Sequence, residues 1–75
     1  MIEIYGQPNC SFCKQAQQLC DSLGVEYVYK TVNVDYTLPR LLEKLPSTHR
    51  TYPAIFIDGV FLGGFKALES KLKGS

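Results

Sequence analysis

Residues 2–13 read Ile2-Glu3-Ile4-Tyr5-Gly6-Gln7-Pro8-Asn9-Cys10-Ser11-Phe12-Cys13, a short apolar run followed by two cysteines three apart. The run Ile2–Tyr5 has strand character. Beyond Cys13 the apolar spacing turns helical: Ala16, Leu19, Cys20 and Leu23 stand at i, i+3, i+4 and i+7. A C-x-x-C at a strand-to-helix junction places its first sulfur at the positive end of a helix, where a thiolate is stabilised. The junction therefore points to thiol–disulfide exchange chemistry.

Working outward, the spacing predicts a strand over 2–5 and a helix over 11–23, with Gly24 as its C-terminal stop. Residues 26–34 are rich in β-branched and aromatic types, and part of them is expected to form the second strand. Asp35-Tyr36-Thr37 leads into a second helix. Thr37 is its expected N-cap, Pro39 falls at the second helical position, Leu38, Leu41, Leu42 and Leu45 form its apolar stripe, and Pro46 ends it. Ala54–Ile57 reads as strand three, Asp58-Gly59 as a two-residue hairpin turn and Val60–Leu62 as strand four. Gly63-Gly64 breaks the chain before a helix over 65–73, with Phe65, Leu68 and Leu72 toward the core. The order β-α-β-α-β-β-α predicts a small α/β domain: a parallel pair joined by a crossover, a closing antiparallel hairpin, and a mixed four-stranded sheet flanked by three helices on both faces.

Seventy-five residues make one domain, 1–75, with 45% hydrophobic and 20% charged residues. A net charge of +1 with scattered basic residues gives no case for nucleic acid. No apolar run reaches membrane-spanning length, and no charged-then-apolar leader precedes the first strand, so the expected location is the cytoplasm. Three cysteines make a poor disulfide framework, so the C-x-x-C reads as catalytic or metal-binding. A zinc site needs a second Cys or His pair, and His49 is alone while Cys20 is distant, so no metal is expected. Cys20, on the apolar helix face, reads as a buried structural cysteine. Tyr5, Tyr27, Tyr29 and Tyr36 read as packing residues, His49 as surface loop and Asp35 as a helix-start feature.

C-x-x-C after strand one, with Thr-x-Pro before strand three, resembles the thioredoxin fold. The shortness of the chain, Cys10-Ser11-Phe12-Cys13, Arg50-Thr51-Tyr52-Pro53 and Gly63-Gly64 together resemble a dithiol glutaredoxin over nearly the whole length. The resemblance implies that Cys10 attacks a disulfide as a thiolate of lowered pKa, and that Cys13 resolves the mixed disulfide and releases product. It implies a cis bond at Pro53, turning the Tyr52 backbone outward to pair with a peptide-like substrate. It also implies a glutathione site. Gly63-Gly64 would hold the γ-glutamyl end, Arg50 would stand near the glycyl carboxylate, and Phe12 would form an aromatic lip. Gln7, Phe12, Arg50, Thr51, Tyr52, Pro53, Gly63, Gly64, Phe65 and Lys66 are the expected contacts.

Three positions depart from the family pattern. Gln7 replaces a common Lys, Tyr52 a common Val, and Phe65-Lys66-Ala67 carries no acid for the ligand's amino group. Lys66 can pair with the α-carboxylate instead. The expected function is a glutathione-dependent oxidoreductase, monomeric and without a tightly bound cofactor. It would reduce protein disulfides and glutathione mixed disulfides, with glutathione as co-substrate and disulfide-containing client proteins as partners. Gly64-Phe65-Lys66 is similar to the small glutaredoxin-like electron donors of ribonucleotide reductase, which thioredoxin reductase recycles. Carriage of an iron–sulfur cluster is a further alternative, as is a structural module with no chemistry.

Overall fold

Strand β1 runs Ile2–Gly6, α1 Ser11–Ser22, β2 Tyr27–Thr31, α2 Leu38–Lys44, β3 Ala54–Ile57, β4 Val60–Gly63 and α3 Phe65–Lys73. These elements come from a computed structural model that describes residues 1–46, 49 and 52–74. The four strands lie in the order β2-β1-β3-β4. β1 pairs parallel with β2 and antiparallel with β3, and β3 pairs antiparallel with β4. This is the mixed four-stranded sheet with three helices that the element order predicts.

Strand alternation divides the core in two. Ile2 and Ile4 of β1 and Ile55 of β3 point to one face, where Ala16, Leu19 and Cys20 of α1 and Leu68 of α3 pack on them. Tyr5, Ala54 and Phe56 point to the other face and meet Leu41 of α2. β1 and β3 are central, so their side chains are buried on both faces, and Ile4, Ala54 and Ile55 have no exposed surface. The Tyr5 ring stands edge-on to both Tyr36 and Phe56, with centroids 5.0 and 5.3 Å away.

The turns follow the local chemistry of the chain. Asp58 and Gly59 both take positive φ, 51° and 82°, as a two-residue hairpin turn requires. Gly63 closes β4 at φ 145°, and a Cβ there would stand 2.7 Å from the Ala67 Cβ, so only glycine fits.

Several expectations are corrected. α1 stops at Ser22, and its buried face begins at Cys13, while Leu23 is a 47% exposed cap residue. In α2 only Leu41 is buried, whereas Leu38 and Leu42 are exposed. A helix of seven residues sets little more than one position against a sheet face already filled by Tyr5 and Phe56. Thr37 occupies the N-cap but makes no capping bond through its side chain. Asp35 does not start the helix. Its carboxylate accepts the Thr31 N–H at 2.9 Å and closes the turn after β2. His49 is half-buried, and its ring lies 4.9 Å from that of Phe61.

Candidate active site

β1 delivers the chain to Gly6, and an exposed loop of Gln7, Pro8 and Asn9 turns it into α1. Asn9 takes φ 60°, a conformation that asparagine tolerates better than most residues. Cys10 is the N-cap of α1, with extended backbone angles, φ −106° and ψ 110°. Its Sγ accepts the Cys13 N–H at 3.2 Å, and its carbonyl accepts the Lys14 N–H at 3.2 Å. The sulfur therefore takes the place that a serine or aspartate oxygen usually holds at a helix start. A negative charge on that sulfur faces the Cys13 amide of the first turn and the positive helix end.

Cys10 and Cys13 are joined as a disulfide with their Cα atoms 5.2 Å apart, inside the range that the bond requires. The two sulfurs differ in access. Cys10 is partly exposed, whereas Cys13 has no exposed surface. The pair can open and close by exchange with an outside thiol only at Cys10.

Two cavities border the C-x-x-C segment, one reaching it at Phe12 and the other at Cys10. On one side a groove of about 240 Å³ is lined by Phe12, Tyr52, Pro53, Gly64, Phe65, Lys66 and Ala67. It gathers six of the ten residues expected to contact glutathione. The Tyr52–Pro53 bond is cis. Phe12, half exposed, tilts over Phe65 with ring centroids 5.9 Å apart, and so forms an aromatic edge of the groove. Gly64 caps α3 beside the Pro53 carbonyl, and a Cβ on it would stand an ordinary 3.6 Å away. Gly63 does not line the groove; its part is the backbone turn into α3.

The remaining expected contacts fall elsewhere. Gln7 lines a second cavity of about 330 Å³ across Cys10, with Lys14, Gln17 and Tyr29. Gln7 and Lys66 thus line different cavities, Gln7 beside Tyr29 and Thr31 of β2. Arg50 and Thr51 lie outside the described residues. A further cavity, about 400 Å³, opens on the α2 face among Tyr5, Lys30, Arg40 and Lys44. No cysteine lines it, so the redox chemistry lies elsewhere. Lys30 bonds Glu3 at 3.1 Å, and that bond holds its ammonium above the usual lysine range.

Tyr36 is a positioning residue that the sequence does not disclose. Its hydroxyl donates to the Gly6 carbonyl at 2.9 Å. Burial foremost, and then Tyr52, push its phenol far above the usual range. It thus ties the end of β1 to the loop that precedes α2. A tyrosine in a loop carries no sequence signal for such a role. Cys20 is fully buried, and burial followed by the Asp21 charge pushes its thiol up. Among the described residues no three His, Cys, Asp or Glu side chains gather to hold a metal ion, and no helix is long and apolar enough to cross a membrane.

A thiol pair at a helix start, next to a groove built on a cis proline and a glycine-led third helix, defines a thioredoxin-fold dithiol protein. The chain belongs to the glutaredoxin family, whose family model, Glutaredoxin, matches residues 2–62. It is similar to Glutaredoxin 3 of Escherichia coli, with 33% identity over 64 residues that cover 84% of this chain and 75% of that one. The structure of reduced Escherichia coli glutaredoxin superposes with a TM-score of 0.83 at 25% identity, covering 99% and 94% of the two chains. A buckwheat glutaredoxin–glutathione complex superposes with a TM-score of 0.69 at 26% identity, covering 97% and 69%. The chain spans less than half the length of several other curated relatives that it matches, 41% of one and 27% of another.

Proposed function

We propose that this chain is a thiol–disulfide oxidoreductase that takes its electrons from glutathione and passes them to protein disulfides and glutathione mixed disulfides. The observation that carries the reading is the unequal access of the two sulfurs at one helix start. Cys10, open to solvent and facing a first-turn amide, attacks as the thiolate. One disulfide bond of the client breaks, and Cys10 is left joined to the client's other sulfur. Cys13, buried one turn further in, then displaces that sulfur and closes the Cys10–Cys13 bond. Glutathione restores the dithiol, at a potential that for glutaredoxins lies near roughly −200 to −230 mV.

The groove beside Cys10 supports the glutathione part. Lys66 offers a cation to a carboxylate, the Phe12 and Phe65 rings offer an apolar wall, and a structural neighbour is a glutaredoxin bound to glutathione. A second reading has one specific observation in its favour. No acidic side chain lines the groove, so the ligand's amino group lacks a partner there among the described residues. That favours recycling by thioredoxin reductase, with ribonucleotide reductase as a candidate client.

Following NADPH consumption separately with glutathione plus glutathione reductase and with thioredoxin reductase decides between the two. The glutathione reading expects turnover only in the first system. Cys10→Ser is expected to abolish all activity, and Cys13→Ser to keep reduction of a glutathione mixed disulfide. Residual activity in Cys10→Ser would sink the assignment of the attacking sulfur.

A further inference from the structure

Tyr29 is a packing residue in the sequence, yet the end of its ring and the buried Cys13 sulfur flank the same residue, Gly6. It sits on β2 opposite Ile4, and alternation puts it on the same face as Gly6, two residues along β1. A Cβ on Gly6 would stand 2.7 Å from the Tyr29 Cζ and 3.0 Å from the Cys13 Sγ. The end of the ring and the sulfur therefore flank the same point of backbone, and glycine at position 6 is what lets them do so. Gln17, one helical turn beyond Cys13 on α1, lines the same cavity as Tyr29. Burial pushes the Tyr29 phenol up, so it stays protonated, and remains a donor, at neutral pH.

Cys13 needs such a donor. It has no exposed surface, so desolvation opposes the charge of its thiolate. Its own N–H is committed to the Cys10 sulfur. Lys14, the charged side chain lining the adjoining cavity, is exposed.

We propose that Tyr29 donates a hydrogen bond to the Cys13 thiolate as it forms, and so sets the rate at which the mixed disulfide on Cys10 is resolved. The inference rests on the reading of Cys13 as the resolving sulfur. In that step the Cys13 thiol loses its proton to solvent, and the thiolate attacks the Cys10 Sγ. The Cys10–Cys13 bond forms while the bond from Cys10 to the client sulfur breaks. The client sulfur leaves with the electron pair, so the dithiol is oxidised by two electrons and the client disulfide is reduced.

The test mixes reduced protein with hydroxyethyl disulfide, a small neutral probe that makes no demand on glutathione recognition. Acid quenching and mass spectrometry then separate the bimolecular formation of the mixed disulfide from its closure, which is independent of probe concentration. Tyr29→Phe is expected to slow closure about tenfold and to raise the pH midpoint of that step by about one unit, the effect of losing one hydrogen bond to a charged acceptor. The bimolecular step should move less than twofold. Gln17→Leu, which removes the neighbouring amide and keeps the phenol, should slow the same step by a smaller factor. Closure and midpoint equal to wild type in both variants overturn the proposal, as does equal slowing of both steps. The Cys13→Ser control separates the layers: it should stop at the mixed disulfide, and closure in that variant would instead overturn the roles of the two cysteines.

Discussion

At the residue scale the two sulfurs of the motif behave differently because one caps a helix and the other is buried beneath it. Cys20 is the contrast. Its thiol is buried on α1 and held above its ordinary value by desolvation and by Asp21. Between that ordinary value and the raised one, the unfolded chain sheds a proton that the folded chain keeps. Stability from this group is therefore complete below the ordinary thiol pKa of about 8.5, and falls as pH rises beyond it. Urea midpoints of the oxidised protein at pH 7.5 and 9.5 should show a drop that Cys20→Ala reduces. An equal drop in both proteins would mean that other groups carry it. The pairing of Cys10 with Cys13 at a helix start was legible from their spacing. The parts played by Tyr29 and Tyr36 were not, because a phenol's partner is chosen by strand pairing and by a loop, at separations that no local pattern encodes.

At the element scale the helices are held unequally. α3 is anchored by Leu68, which has no exposed surface and packs against the core that includes Ile4, Ile55 and Ala16. α2 is anchored by Leu41, while Leu38 is 44% exposed. Leu68→Ala should cost about 2–5 kcal/mol, the usual range for a buried leucine truncation, and Leu38→Ala within about 0.5 kcal/mol. Chemical denaturation of the two variants reads the difference directly, and similar costs would refute the unequal anchoring. The leucine spacing of α2 showed that a helix forms there. It did not show that a two-turn helix, laid over Tyr5 and Phe56, buries only one of its three leucines.

At the scale of the whole molecule, two central strands carry two half-cores, and the dithiol sits where the central β1 leads into α1. Chains of this size bury only about 60% of their unfolded surface, so protection should concentrate at the centre of the sheet. Hydrogen exchange is expected to be slowest in β1 and β3, and faster in the edge strands β2 and β4 and in α2. Slowest exchange in α2 would contradict this ordering.

Element order, the mixed sheet, the hairpin turn and the pairing of Cys10 with Cys13 were all written in local sequence. Those features rest on contacts between near neighbours: apolar period, turn chemistry and a sulfur at a helix start. Only the tertiary structure decided which cavity each site residue enters. It put Gln7 and Lys66 in different cavities, set the Asp35 carboxylate on the Thr31 amide, and brought the Tyr29 ring end and the Cys13 sulfur to either side of Gly6. The physical reason is that the sheet pairs residues far apart in the chain, and a side chain's partners across a strand follow from register and from the space left beside a residue such as Gly6.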